Sequence, residues 1–226
     1  MLIILLIIFV LATIILPGIW ATHILAKYQL TDDSLQGTGG ELAQHLIERF
    51  ALTETKIELT NLGDHYDPAE KMVRLSEANM DGQSLTAVAT AVHEIGHALQ
   101  HQQGYRPLLW RSRLVKVALI MEKVGSFSMM LSPVMVIVTK SPFIGGLLFG
   151  VAILSMLILS IVHFVTLPVE FNASFGRALP ILKEGYISSE QYKITEKILL
   201  ACTLTYLAQS LSSLLNLGRW LAVFRR

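Results

Sequence analysis

The sequence predicts a mainly α-helical membrane protein, and three observations predict it. The 226-residue chain is 53% hydrophobic and only 15% charged, with a mean hydropathy of +0.55, whereas a soluble domain carries about 25% charged residues. The run FIGGLLFGVAILSMLILSIVHFVTL, residues 143–167, holds no formal charge. The stretch TAVHEIGHALQH, residues 90–101, lies in a segment of helical period. A net charge of +1 without a basic run excludes nucleic acid as a partner class. The single cysteine, Cys202, cannot form an intramolecular disulfide and reads as a small core residue within LLACTLTYL.

Residues 1–26 are predicted to form an N-terminal transmembrane anchor. No charge precedes Lys27, and at about 1.5 Å per residue the run can cross a hydrocarbon core of roughly 30 Å. A cleaved signal, the alternative, would have a basic start, a shorter apolar centre and a small-residue cleavage site. Pro17 and Gly18 are expected to bend its end.

A polar part, 27–113, follows. GGELAQHLIERF reads as a helix on which Glu41, His45 and Glu48 take surface or packing roles. KIEL alternates as a strand does, and DHYDPAEKMVRLS reads as a hairpin about Asp67, Pro68, Ala69 and Glu70. Such a sheet either offers an edge to an extended peptide or merely covers the next helix.

Residues 114–167 read as a transmembrane helical hairpin turned at TKSP, with Lys116, Glu122 and Lys123 near one end and His163 wetted at an interface. The remainder, 168–226, is a C-terminal helical part. Its last run, from residue 198, is an amphipathic helix either packed on the polar part or lying at the inner membrane surface. Lys27, Arg106, Arg111 and Arg113 before the hairpin and Arg177 and Lys183 after it, against Lys140 alone at the turn, predict that both polar parts face the cytoplasm.

The motif sits on a helix from Leu85 to about Gln103. Leu85, Val88, Val92, Ile95 and Leu99 recur at steps of three and four, DGQS supplies a start and Gly104 a stop. His93 and His97, four apart, share one side of that helix, with Glu94 one step round. Two imidazoles so spaced bind zinc, and the glutamate between them can take a proton from water. The spacing arises by chance in roughly one such sequence in a hundred. Gly96 costs about 1 kcal/mol relative to alanine within a helix, which is understandable if something packs against it. His101 cannot join His93 on one ion, since eight helical residues span about 12 Å. It reads as a surface, entrance or supporting residue.

A catalytic zinc uses three protein ligands and keeps one position open. In LPVEFNASFGRALPIL, Glu170 follows Pro168 just where a two-span hairpin returns the chain to the motif's side. The alternative is an interfacial acid paired with Arg177.

VHEIGHALQH, a hydrophobic hairpin and then LPVEFNASFGRAL together resemble the YugP-type neutral zinc metallopeptidases of bacterial membranes, over most of the chain. The chain is similar, more distantly, to proteases of the HtpX and CAAX-prenyl type, in which a glutamate on a later helix opens an E-x-x-A-D pattern. Glu170 and Ala173 match that pattern; Ser174 stands where the aspartate would be. The resemblance implies His93, His97 and Glu170 as ligands of Zn2+ and Glu94 as the base. Ser174 can still hydrogen-bond a ligand histidine without supplying charge, a role Asn172 could share. His65, Tyr66 and Tyr105 are candidate donors to a developing oxyanion, and Arg177 is a further candidate at the site.

The predicted function is therefore a membrane-bound zinc endopeptidase acting on proteins or peptides at or near the lipid bilayer, with its site on the cytoplasmic side. The rivals are a membrane scaffold with a structural or vestigial zinc site, and a metal transporter, whose ligands would lie within several spans.

Overall fold

A computed structural model describes the backbone of residues 2–214. The side chains of residues 1–4, 6–11, 13, 14, 156, 157, 159–161, 163, 164 and 206–214 lie outside the described ones, and so do the expectation for His163 and the part of the last run beyond residue 214. The described chain is mostly helical. A long helix, α1 (Leu2–Lys27), precedes α2 (Gly39–Arg49) and a three-stranded sheet, β1 (Lys56–Leu59), β2 (His65–Asp67) and β3 (Met72–Leu75). After the short α3 (Glu77–Met80) come the motif helix α4 (Leu85–Gln102), the long pair α5 (Arg106–Thr139) and α6 (Pro142–Ala173), a π-helical turn (Ser174–Ala178), α7 (Leu179–Lys183) and α8 (Ser189–Leu214).

Local chemistry fixes the boundaries around the motif. Ser84 caps α4, its hydroxyl accepting from the Ala87 N–H at 3.0 Å, which satisfies an otherwise orphaned donor. Gly104, at φ +62°, takes the left-handed turn that ends the helix. In α2, Thr38 and Glu41 form a reciprocal capping box, and Glu48 accepts from Gln44 at 2.9 Å. β3 lies central, parallel to β1 and antiparallel to β2. The β2–β3 turn is held by Asp67, whose carboxylate accepts the Ala69 and Glu70 N–H groups at 2.8 and 3.3 Å.

One apolar core joins these parts. Leu46 of α2, Val73 and Leu75 of β3, Val92 and Ile95 of α4, Leu182 of α7 and Ile198 and Leu199 of α8 are all fully buried. Thr86 ties the start of α4 to the end of α1 by donating to the Leu25 carbonyl at 2.8 Å. Cys202 sits in this core, and burial pushes its thiol up to about 12, so it is inert at neutral pH.

The fold class needs one correction. Among the described residues, no helix is long and apolar enough to cross a membrane, so the transmembrane anchor and hairpin do not stand. In α5 the stretch from Arg106 to Lys123 carries Arg106, Arg111, Arg113, Lys116, Glu122 and Lys123, and its apolar remainder is interrupted by serines and Pro133. A helical hairpin does form, turned at Lys140 in the left-handed conformation (φ 53°). Its arms pack on each other along small and medium residues, with Ala118, Gly125, Ser128, Ala152 and Ser155 buried.

Candidate functional site

The apolar stripe of α4 faces the core, and its opposite side is covered by the end of α6 and by α8, so almost the whole helix is buried. His93, Glu94 and His97 are 3%, 6% and 5% exposed, and Glu170 is 2% exposed. The cover is close because of Gly96. A Cβ there would lie 2.8 Å from the Ala173 carbonyl oxygen, below any normal contact, so only glycine lets the last turn of α6 press onto α4 at this point.

That approach brings together three donor atoms from two helices. Glu170 Oε2 lies 3.3 Å from His93 Nε2 and 3.2 Å from His97 Nε2, and the three ligand atoms lie within 4.8 Å of one another. Atoms bound tetrahedrally at 2.0–2.1 Å from a zinc ion are spaced by about 3.3 Å, which both histidine–glutamate distances match.

Supporting hydrogen bonds set which nitrogen of each imidazole faces the centre. Arg177 can only donate, and its Nη1 donates to Asn172 Oδ1. Gln100 therefore offers its amide nitrogen to Asn172 Oδ1, at 3.0 Å, and to the Val169 carbonyl, at 2.8 Å. Its oxygen is left facing His97 Nδ1 at 3.0 Å, so Nδ1 must carry the hydrogen. On the other ligand, His93 Nδ1 lies 2.9 Å from Ser174 Oγ, which is itself 3.0 Å from the Leu199 carbonyl and 2.9 Å from Thr203 Oγ1. A neutral imidazole whose Nδ1–H is committed presents a bare lone pair at Nε2. Two such lone pairs and a carboxylate oxygen repel one another unless a cation lies between them, so the residues fit a metal ion.

The carboxylates are driven apart in basicity. Burial pushes Glu94 up to about 7, His93 offsetting only part of this and Glu170 adding to it. Burial pushes Glu170 up too, but wherever His97 or His93 carries a proton on Nε2, in place of a cation between them, its charge and hydrogen bond outweigh burial and hold the carboxyl well below the usual carboxylate range.

Several predicted residues meet here. Asn172, Ser174 and Arg177 lie in the layer behind the ligands, and Tyr105 lies under the Arg177 guanidinium, 5.3 Å from ring centroid to carbon. Others lie elsewhere. His65 Nδ1 pairs locally with the Gly63 carbonyl at 2.8 Å. Tyr66 and His101 bond to each other at 2.8 Å, beside a cavity of about 260 Å³ lined also by Glu54, Lys71 and Gln102. His45 bonds the Tyr186 hydroxyl at 2.8 Å.

Three residues escaped sequence reasoning. Gln100, fully buried, stands three positions after His97, and that spacing of one helical turn was the available signal. Arg111 was read only as a topological charge, yet its Nη1 lies 3.5 Å from Glu170 Oε1. Thr203 contributes from α8, far from the motif in sequence.

Comparison with known proteins names a family. A family model described as "Putative neutral zinc metallopeptidase" matches residues 2–225. The chain is 36% identical over 208 residues to a protein of Bacillus subtilis (strain 168) described as "Putative membrane protease YugP", covering 88% of this chain and 85% of that relative. No solved structure matches it.

Proposed function

This chain belongs to the neutral zinc metallopeptidase family, and we propose that it is a zinc-dependent endopeptidase that hydrolyses peptide bonds of proteins at or near a membrane. The observation that carries the reading is the convergence of His93 Nε2, His97 Nε2 and Glu170 Oε2, with both histidine–glutamate distances at tetrahedral spacing and Glu94 beside them. Among the described residues three groups converge, whereas a closed structural zinc site uses four; this supports catalysis over a scaffold.

His93, His97 and Glu170 would hold the ion. Zinc, when bound, acidifies water and polarises a carbonyl. Glu94 accepts a proton from the attacking water and hands it to the leaving amine; a carboxylate raised by burial toward neutrality is matched to both transfers. Ser174 and Gln100 keep the two imidazoles turned so that each Nε2 faces the ion. The buried setting limits free water around the reacting groups.

A membrane partner is supported by the relative's description and by exposed Trp110, Phe127, Ile137 and Phe143 along α5 and α6, an apolar surface that lipid would cover. Lys27 at the end of α1 and Arg106 and Lys116 on α5 suit the anionic cytoplasmic leaflet.

The test is to purify wild type and Glu94→Gln in detergent, measure zinc in both, and follow casein cleavage before and after chelation. Equal zinc with cleavage by the wild type alone, abolished by chelator and restored by zinc, is the expected result. Cleavage that survives either chelation or the substitution would overturn the reading.

A further inference from the structure

We propose that Arg111 is a positioning residue for the metal site: its guanidinium holds Glu170 Oε1, so that Glu170 offers the ion one oxygen and the remaining coordination position stays open. The inference rests on the functional reading above and extends it to a residue outside the motif and its supporting hydrogen bonds.

The two oxygens of Glu170 have different surroundings. Oε2 faces both imidazoles. Oε1 is buried and accepts no hydrogen bond among the described residues, while Arg111 Nη1 stands 3.5 Å away, on a side chain only 16% exposed. A carboxylate this deep is costly unless paired. Without a partner for Oε1, the same carboxylate could swing to give a cation both oxygens, as carboxylate ligands readily do. Arginine suits the task better than lysine because its charge is permanent and its planar fork matches a carboxylate edge.

The hairpin sets this pair. Arg111 lies 28 residues before the end of α5 and Glu170 lies 28 residues after the start of α6. In an antiparallel pair turned at two residues, equal distances from the turn place the two at the same level, roughly 42 Å along the arms. α5 starts beside the site and α6 returns to it. One arm carries the ligand and the other the charge that orients it. Arg111 also acts on Glu94 through space, lowering its proton affinity, consistent with a guanidinium near both carboxylates.

The test uses the full chain in detergent as wild type, Arg111→Gln, Arg111→Lys and, as a control on an exposed neighbour, Arg113→Gln. Zinc affinity is measured by competition with a chelating dye, and the visible absorption of the cobalt-substituted protein reports coordination number. Arg111→Gln should bind zinc about 10–100-fold more weakly and lose cobalt absorption intensity, as four-coordination gives way to five. Arg111→Lys should recover part of the affinity, and Arg113→Gln should match the wild type. If Arg111→Gln fails to fold, the cobalt spectrum of Arg111→Lys decides: reduced intensity supports the assignment, and a wild-type spectrum overturns it. A wild type that binds zinc and cleaves casein beside an unaltered Arg111→Gln overturns this assignment alone. A wild type that binds no zinc overturns the functional reading with it.

Discussion

Replacing Gly96 by alanine sets two effects of known size against each other. Within a helix, alanine is favoured over glycine by about 1 kcal/mol, so on helix propensity alone the variant should be the more stable. The added Cβ, however, would lie 2.8 Å from the Ala173 carbonyl oxygen and 3.4 Å from that residue's carbonyl carbon and Cα. All three atoms are backbone, so no side chain can swing aside, and α4 and α6 must part by roughly 0.5 Å to restore a normal contact. Overpacking of this kind costs typically about 1–3 kcal/mol. The metal-free variant should therefore lose between about 0 and 2 kcal/mol. The metal site should suffer more. Ligand distances tolerate shifts of about 0.2 Å, and the parting carries Glu170 away from His93 and His97. Zinc affinity should fall at least about tenfold, or 1.4 kcal/mol. Thermal unfolding with chelator present gives the first quantity and dye competition the second. A Gly96→Ala protein that is more stable than wild type without metal, and binds zinc equally well, would refute the close approach of the two helices.

Two further outcomes follow from the geometry. Gln100→Leu removes the acceptor that fixes the His97 tautomer and should weaken zinc binding by about 10–100-fold; unchanged affinity in the same dye competition would show that the relay from Arg177 does not matter. The Tyr66–His101 bond should make stability depend on acidity. Burial lowers the proton affinity of His101, and burial likewise pushes Tyr66 up to about 12, so the phenol remains the donor. The folded state then binds fewer protons than the unfolded state below the ordinary histidine value of about 6.5. The contribution of His101 is complete above that value and is lost as the pH falls through it toward the lowered one. Melting of wild type and His101→Gln at about pH 8 and about pH 5 checks this, and equal losses in both would rule the linkage out.

What the sequence showed depended on how locally it was encoded. Leu85, Val88, Val92, Ile95 and Leu99 repeat within one helix, Ser84 and Gly104 bound it, and both ends lie close to where sequence chemistry puts them. Gly96 was legible as an anomaly, and its partner, Ala173, was not, because a contact across the chain leaves no mark at either position. The Asp67 turn is local and was readable. The transmembrane reading took Lys116, Glu122 and Lys123 as tolerable near one end of a span; together with Arg106, Arg111 and Arg113 they occupy the start of α5 as far as Lys123 and leave too short an apolar stretch to cross. The supporting layer was only half visible. Ser174 and Asn172 stood out because the family resemblance drew attention to the positions just after Glu170, whereas Gln100, Thr203 and Arg111 act through distances set by packing.

The same logic explains why Arg111 was read as a charge to be counted rather than as a part of the site. A residue five positions into a 34-residue helix has no local relation to Glu170. Its role depends on the lengths of α5 and α6 and on the turn at Lys140, which together fix the level at which the arms meet. Any change that alters one arm alone by a single residue rotates that arm by about 100° and shifts it about 1.5 Å, separating Arg111 from Glu170 while leaving every residue of the motif in place. The hairpin is thus part of the metal site's geometry although most of its length lies far from the ligands.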